Sequence, residues 1–233
     1  MRATEARDVA LPHWHPSPNF GVRRDGLSPS LIVLHYTAME SAAAALERLC
    51  DPLAEVSAHY LIGADGQLWQ MVDEAARAWH AGAGCWAGRE DVNSRSIGIE
   101  LDNRGDHPFS EPQMAALEAL LPGIMARWGI GPAGVIGHSD MAPGRKRDPG
   151  PRFDWARLAR QGLALAHRPG RGGAVTPEGF RALAVAAGYP ADGDPEELLE
   201  AIRHRLRPWG RGRLVQGDMD ALAGFVAARA ALA

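Results

Sequence analysis

Cysteine is scarce in this sequence of 233 residues, where only Cys50 and Cys85 occur. Two thiols cannot build the disulfide framework of a small secreted domain, and their spacing does not match a zinc clip. An excess of one charge is also missing, since 25 Lys and Arg residues oppose 28 Asp and Glu residues, for a net charge of −3. Because no global basic field exists, we expect no nucleic-acid partner.

Long apolar runs are missing as well. The first apolar stretch, residues 31–34 (LIVL), is far too short to cross a bilayer. The residues before it include Arg2, Glu5, Arg7 and Asp8 and contain no apolar segment of secretory length. We therefore expect no transmembrane segment and a cytoplasmic location. The periplasm or the outer membrane is the alternative, if the protein is exported by an unusual route.

The sequence is otherwise typical of a globular protein, with 46% hydrophobic and 23% charged residues. Short β-branched runs bounded by turn residues predict strands, and Asp65-Gly66 predicts a hairpin between the second and the third. The predicted strands are residues 31–34, 58–62, 68–71, 97–101 and 135–136, and the predicted helices between and after them are 41–49, 111–128 and 155–166. This alternation predicts an α/β fold with a mixed central β-sheet flanked by helices.

The character of the chain changes after the third predicted helix. Residues 168–173 (RPGRGG) are typical of a flexible linker. Thr176-Pro177 and Asp194-Pro195 each combine an N-cap residue with proline at the first helical position, and a third helix is predicted from about residue 218 to 232. We therefore predict a first domain over residues 1–167, a linker over 168–175 and a small three-helix bundle over 176–233.

Three polar residues follow predicted strands of the first domain. His35 ends LIVLH, Glu100 ends SIGIE and His138 ends VIGH. Reactive groups gather at the carboxyl ends of parallel strands. Two imidazoles with a carboxylate from the following loop suit one zinc ion with an open fourth position, with Glu100 as acid and base and Lys146 stabilising an oxyanion. This combination predicts a metallohydrolase that acts on an amide.

Three strings then carry a resemblance to a known family. LHYTA (34–38), SIGIELDN (96–103) and GHSDMAPGRKRDPG (137–150) occur in the order found in the zinc-dependent N-acetylmuramoyl-L-alanine amidases of type 2, together with AWHAG (78–82). The chain resembles this family over about residues 14–165. The resemblance implies the amidase and peptidoglycan-recognition fold, and one Zn²⁺ per catalytic domain.

The resemblance also implies roles for particular residues. It places His35, His138 and Asp148 as the metal ligands, Glu100 as the catalytic acid and base, and Lys146 as the oxyanion-stabilising cation. The implied reaction is hydrolysis of the amide between N-acetylmuramic acid, or its anhydro form, and L-alanine, in peptidoglycan or in muropeptides. The alternative is a non-catalytic peptidoglycan receptor on the same fold, a protein that usually lacks a metal ligand.

Other residues near these motifs are candidates for substrate binding. The candidates are Tyr36, Trp79, His80, Asn103 and Arg104. We expect a structural hydrogen bond for His59 and a turn-capping role for Asp140.

The C-terminal residues carry a second resemblance. Residues 200–220 resemble the small three-helix peptidoglycan-binding module, although Ile202 and Leu206 stand where aromatic residues are commoner. The second domain is accordingly predicted to be peptidoglycan-binding-like.

Overall fold

The computed structural model describes residues 11–232. The N-terminal segment with Arg2 to Asp8, and the last residue of the predicted second domain, lie outside the described residues. The strands in the described part are β1 (His13–Trp14), β2 (Phe20–Gly21), β3 (Leu31–Tyr36), β4 (Tyr60–Ile62), β5 (Leu68–Gln70), β6 (Arg77–Ala78), β7 (Ser96–Leu101) and β8 (Val135–Gly137). The α-helices are α1 (Ala42–Cys50), α2 (Glu111–Trp128), α3 (His138–Met141), α4 (Trp155–Arg160), α5 (Pro177–Ala187), α6 (Pro195–Leu206) and α7 (Gln216–Ala230).

Six strands form a mixed sheet in the order β1-β5-β4-β7-β3-β8. β3 is parallel to both β7 and β8, β4 is parallel to β7, and β4 pairs with β5 in the antiparallel sense. The predicted mixed sheet and its hairpin at Asp65-Gly66 are therefore confirmed. The short strands β1, β2 and β6 were not predicted, because two residues are too few to show an alternating pattern.

The sheet places alternate residues of each strand in different cores, as the twofold period of a strand requires. Ile32 and Leu34 of β3 pack with α2, and so do Ile97, Ile99 and Leu101 of β7. Leu31 and Val33 face the opposite side. Because the period is two, His35 continues the side of Leu31 and Val33, and residues Ser96, Gly98 and Glu100 line that same side of β7.

Helix boundaries follow local capping chemistry. The Ser41, Thr176 and Asp194 side chains accept hydrogen bonds from backbone N–H groups of the first turns of α1, α5 and α6, as predicted. Helix α2 has the predicted bounds and ends at Gly129, whose φ of 64° suits glycine. Helix α4 is shorter than the predicted 155–166, since it ends at Arg160. Among residues 11–232, no helix has the length and apolarity that crossing a membrane requires.

The three C-terminal helices cover one face of the sheet. A single hydrophobic core joins Leu31, Val33 and Ile136 of the sheet to Phe180 of α5 and Phe225 of α7. The predicted three-helix bundle is thus present and shares its core with the first domain. The predicted domain boundaries stay predictions.

The segment predicted as a flexible linker is hydrogen-bonded to α7. The N–H of Gly170 donates to the carbonyl of Asp220 at 2.8 Å, and the N–H of Gly172 donates to its Oδ1 at 2.9 Å. The Gln216 side chain also donates to the carbonyl of Gly173 at 3.0 Å. The glycine content of this segment predicted a flexible backbone. In the structure, the absence of glycine side chains instead allows the segment to approach α7 closely.

Candidate active site and metal centre

Three neighbouring elements bring His35, His138 and Asp148 together. His35 is the fifth residue of β3, and His138 follows β8 directly. Leu34 and Gly137 are register partners in the parallel pair β3–β8, so the two histidines leave the sheet side by side. The N–H of Ser139 donates to the carbonyl of Asp148 at 2.8 Å. This hydrogen bond holds Asp148 next to the start of α3, although the two residues are nine positions apart in sequence. These residues therefore converge at the carboxyl ends of parallel strands, as expected.

The side chains of these three residues point at one another. The Nδ1 atom of His35 lies 2.9 Å from Nδ1 of His138 and 2.9 Å from Oδ2 of Asp148. The Nδ1 atom of His138 lies 3.0 Å from the same oxygen. All three residues are buried, with exposed fractions of 1%, 2% and 7%. Such a set of ligand atoms could hold a metal ion.

Burial controls the protonation of this group. It lowers the pKa of His35 to about 4, assisted by the positive charge that His138 would carry. Burial by itself raises the pKa of Asp148, but the charges and hydrogen bonds of the two histidines hold that pKa well below its ordinary value. Neutral imidazoles and an ionised carboxylate are the forms that bind metals.

Glu100 faces the same site from the adjacent strand. It is the register partner of His35 in the parallel pair β3–β7, so both side chains leave the sheet on one face. Its Oε2 atom is buried and has no hydrogen-bond partner among residues 11–232. Burial, and then the charge of Asp148, raise the pKa of Glu100 to about 8. An unpartnered buried carboxyl with a raised pKa is characteristic of a group that exchanges protons.

A cavity of about 540 Å³ opens over these residues. Its lining includes Lys146, which is exposed and, within the described part of the chain, has no hydrogen bond or ion pair from its ammonium group. Arg48, Arg145 and Arg147 line it too. Sequence reasoning did not identify these arginines. Arg145 and Arg147 flank Lys146 and could have been found from that spacing, whereas nothing in the sequence indicates which face of α1 carries Arg48.

The predicted substrate-binding residues divide into two groups. Tyr36, Trp79 and His80 line the cavity. Asn103 and Arg104 do not. Asn103 is buried, and its Oδ1 accepts the N–H of Gly105 at 2.7 Å, which stabilises the loop after β7. Arg104 is exposed outside the cavity. The carbonyl of Asn103 accepts the N–H of Ala38, a residue of the cavity lining, at 3.0 Å. A substrate-binding role for Asn103 and Arg104 stays a prediction.

Two further polar residues have structural partners. His59 accepts the N–H of Gly98 at Nδ1, at 2.9 Å, and its Nε2 lies 3.2 Å from the carbonyl of Ala76, as the expectation of a structural hydrogen bond required. Asp140 accepts the N–H of Gly137 at 2.8 Å, which is the expected cap. It also accepts a hydrogen bond from Arg205 of α6 at 2.7 Å, which was not predicted.

Comparison with protein families decides the classification. Residues 25–151, more than half of the chain, match the family described as N-acetylmuramoyl-L-alanine amidase. The chain belongs to the N-acetylmuramoyl-L-alanine amidase family. Residues 25–151 contain β3, β7 and β8, and they also include His35, Glu100, His138, Lys146 and Asp148.

Named relatives of the chain agree with this classification. It is 42% identical over 149 residues to N-acetylmuramoyl-L-alanine amidase AmiD of Escherichia coli K12, a match that covers 57% of this chain and 53% of AmiD. The chain thus spans about half the length of that relative. It is 37% identical over 170 residues to 1,6-anhydro-N-acetylmuramyl-L-alanine amidase AmpD of Citrobacter freundii, covering 66% of this chain and 91% of AmpD.

Solved structures show the same fold. The complex of E. coli AmiD with anhydro-N-acetylmuramic acid-L-Ala-D-γ-Glu-L-Lys superposes with a TM-score of 0.73 at 34% identity, covering 89% of this chain and 91% of AmiD. AmpDh3 of Pseudomonas aeruginosa superposes with a TM-score of 0.77 at 29% identity, covering 97% of this chain and 98% of that one. Because the second match extends over nearly the whole chain, the C-terminal helices belong to the shared architecture.

The donor set of His35, His138 and Asp148 fits a divalent metal. Tetrahedral zinc holds nitrogen and oxygen ligands at about 2.0–2.2 Å, which places neighbouring ligand atoms about 3.3 Å apart. The three donor atoms are separated by 2.9–3.0 Å, so a small outward shift accommodates an ion. His35, His138 and Asp148 would hold the ion at the cavity, whose lining also includes Glu100 and Lys146.

Proposed function

We propose that this chain is a zinc-dependent amidase that hydrolyses the bond between N-acetylmuramic acid, or its anhydro form, and L-alanine. The observation that carries the proposal is the convergence of His35, His138 and Asp148 beside the unpartnered carboxyl of Glu100. Zinc, when bound by the three ligands, supplies a Lewis acid that polarises a carbonyl oxygen and lowers the pKa of water. The non-catalytic alternative is less well supported, because a residue that can bind a metal stands at each of the three ligand positions.

Glu100 performs the proton transfers in this proposal. Its carboxylate accepts a proton from the attacking water and delivers it to the leaving nitrogen of L-alanine. The carboxylate form is required at the start of the reaction. The positive charge of Lys146 favours that form, because it opposes the rise in the pKa of Glu100. Lys146 places its ammonium group on the cavity, where it stabilises the negative charge that develops on the substrate oxygen.

The charge of the cavity suits the proposed substrate. Arg48, Arg145, Lys146 and Arg147 make the lining basic. The stem peptide in the AmiD complex contains γ-linked D-Glu, which has a free α-carboxylate. Attraction between these groups favours binding of an anionic muropeptide in the cavity.

Replacement of Glu100 tests the catalytic assignment. Glu100→Gln keeps the shape of the side chain but removes the proton acceptor, so turnover of a muropeptide should fall about 10²–10⁴-fold while zinc content is unchanged. Zinc is measured by elemental analysis and turnover by chromatography of the released peptide. Glu47→Gln on the exposed side of α1 is the matched control and should retain wild-type values.

Two outcomes would overturn the proposal. Cleavage at the wild-type rate by Glu100→Gln would show that another group moves the proton. A wild-type protein that binds zinc and muropeptide but releases no peptide would be the non-catalytic receptor instead.

The same assay distinguishes the physiological substrate. Faster cleavage of soluble anhydro-muropeptides than of intact sacculi is expected for a recycling enzyme in the cytoplasm, which is the location we propose. Faster cleavage of sacculi would instead indicate work in the periplasm or at the outer membrane, and would assign wall binding to the C-terminal helices.

A further inference from the structure

Each histidine of the metal site has its second ring nitrogen bound by one of two consecutive residues, His80 and Ala81. The Nε2 atom of His138 lies 2.9 Å from the carbonyl oxygen of Ala81. The donor-only Nη2 of Arg145 is farther from this nitrogen, at 3.4 Å, and itself donates to the Ala81 carbonyl at 2.6 Å. Because a carbonyl only accepts hydrogen bonds, the shorter contact assigns the hydrogen to Nε2 of His138, and its Nδ1 presents a lone pair to the metal site. The Nε2 atom of His35 lies 3.0 Å from Nδ1 of His80.

The protonation of His80 is determined by a serine behind it. The Ser96 hydroxyl donates its single hydrogen to the carbonyl of Val92 at 2.6 Å. Its oxygen, 3.2 Å from Nε2 of His80, can therefore only accept from that nitrogen. His80 thus carries its hydrogen on Nε2, and its Nδ1 accepts the Nε2–H of His35. As a result, Nδ1 of His35 also presents a lone pair to the metal site.

The segment that carries both acceptors is held from behind. The buried Oδ1 of Asn93 accepts the N–H of His80 at 3.1 Å and the N–H of Ala81 at 2.8 Å. The imidazole of His80 lies over Gly98 of β7, where a Cβ atom would be only 2.4 Å from the ring. A glycine inside a strand is explained here by close approach of another side chain.

We propose that His80 is a positioning residue of the metal centre, which holds His35 in the Nε2–H tautomer while the adjacent Ala81 carbonyl does the same for His138. This role differs from the substrate binding first expected of His80. Partners of this kind fix the ring orientation of metal-binding histidines, and their loss typically weakens metal binding about 10–100-fold. The inference rests on the proposed function only in requiring that the triad binds zinc.

Two variants with side chains of similar shape, His80→Leu and His80→Asn, test the positioning role of His80. His80→Leu removes the acceptor for His35, whereas His80→Asn places an amide oxygen close to the position of Nδ1. Zinc affinity, measured by competition with a fluorescent chelator, should fall about 10–100-fold in His80→Leu and stay within about threefold of wild type in His80→Asn. Nitrogen NMR of the zinc-loaded wild type should show the Nε2–H tautomer for His35.

Thermal unfolding of the metal-free variants separates positioning from folding. His59→Leu removes another buried histidine, whose ring centroid is 5.8 Å from that of His80 and which does not contact His35. It should lower thermal stability but leave the zinc affinity unchanged. If His80→Leu behaves like His59→Leu, the role of His80 is only structural and the inference is wrong.

The remaining outcomes are equally decisive. Equal loss of affinity in His80→Asn and His80→Leu would mean that the ring is needed for its shape, and would also overturn the inference. A wild-type protein without measurable zinc affinity would instead contradict the proposed function itself, so the two failures are distinguishable.

Discussion

The four histidines His35, His59, His80 and His138 lie in a series of ring contacts beside β7. The ring centroids of His35 and His138 are 4.5 Å apart, those of His35 and His80 are 5.1 Å apart, and those of His59 and His80 are 5.8 Å apart. Position alone does not distinguish a ligand from a positioning or structural residue. The atom that each ring nitrogen contacts makes the distinction.

His59 makes stability dependent on pH. Burial lowers its pKa from 6.5 to about 3, and protonation at Nδ1 would break the hydrogen bond from the Gly98 N–H. The unfolded chain therefore binds a proton at a higher pH than the folded chain does. The contribution of His59 is fully present above about pH 6.5 and falls by about 1.4 kcal/mol per pH unit as the pH decreases towards 3.

Urea unfolding as a function of pH tests this expectation. In His59→Asn, the free energy of unfolding should decrease less steeply between about pH 6.5 and pH 4 than in wild type. His107→Asn is the control, because His107 is exposed, and it should leave the slope unchanged. An unchanged slope in His59→Asn would assign the acid sensitivity to other buried groups.

At the scale of elements, two helical glycines have opposite surroundings. A Cβ atom at Gly123 of α2 would meet only the Arg127 side chain, at Nη1 and 3.0 Å, the guanidinium nitrogen that does not bond Glu74. A Cβ atom at Gly224 of α7 would lie 1.7 Å from the carbonyl oxygen of Arg168, where the connecting segment crosses the helix. The sequence does not distinguish the two glycines, but only Gly224 is required for close packing.

The same substitution at the two sites should therefore change stability in opposite directions. Gly123→Ala should raise the free energy of unfolding by about 0.5–1 kcal/mol, because alanine favours the helix. Gly224→Ala should lower it by about 1–3 kcal/mol, since the connecting segment must move. Chemical denaturation of both variants measures the difference. A stabilised Gly224→Ala protein would mean that the segment is not held against α7.

At the scale of the molecule, a buried ion pair joins the C-terminal helices to the metal-binding region. Arg205 of α6 donates to Asp140 at 2.7 Å and to the carbonyl of Val135 at 3.0 Å, and its guanidinium lies 3.9 Å from the ring centroid of Trp155. Tyr189 also donates to Asp140, at 2.8 Å. Asp140 is two residues from His138, so this contact joins the bundle to the candidate metal site.

Loss of one partner of the Arg205–Asp140 ion pair should strongly lower the free energy of unfolding. Arg205→Met keeps most of the packing on Trp155 but leaves Asp140 buried with its charge uncompensated, and should lower the free energy of unfolding by about 3–5 kcal/mol. Glu200→Gln removes the exposed pair between Glu200 and Arg147 and should cost less than about 1 kcal/mol. Calorimetry compares the two. Equal effects would indicate that the bundle is only loosely attached.

Much of the fold was accessible from local patterns. Alternation along β3 and β7, the hairpin at Asp65-Gly66 and the caps Ser41 and Asp194 depend on neighbours in sequence, and the predicted elements were found. The end of α4 was missed although it has a local signal: Gly162 has a φ of 72°, and the N–H of Leu163 donates back to the carbonyl of Leu158 at 3.0 Å. The two-residue strands were missed because they are too short to show alternation.

Local sequence determined the elements and the family, because strand periodicity, helix capping and contiguous motifs such as GHSDMAPGRKRDPG are properties of neighbouring residues. Only the tertiary structure decided that the Asn103 side chain bonds the loop after β7, that His80 lies behind His35, and that residues 168–173 are held against α7. These relations depend on which atoms meet across the sheet and between the helices. No pattern along the chain encodes that choice by itself.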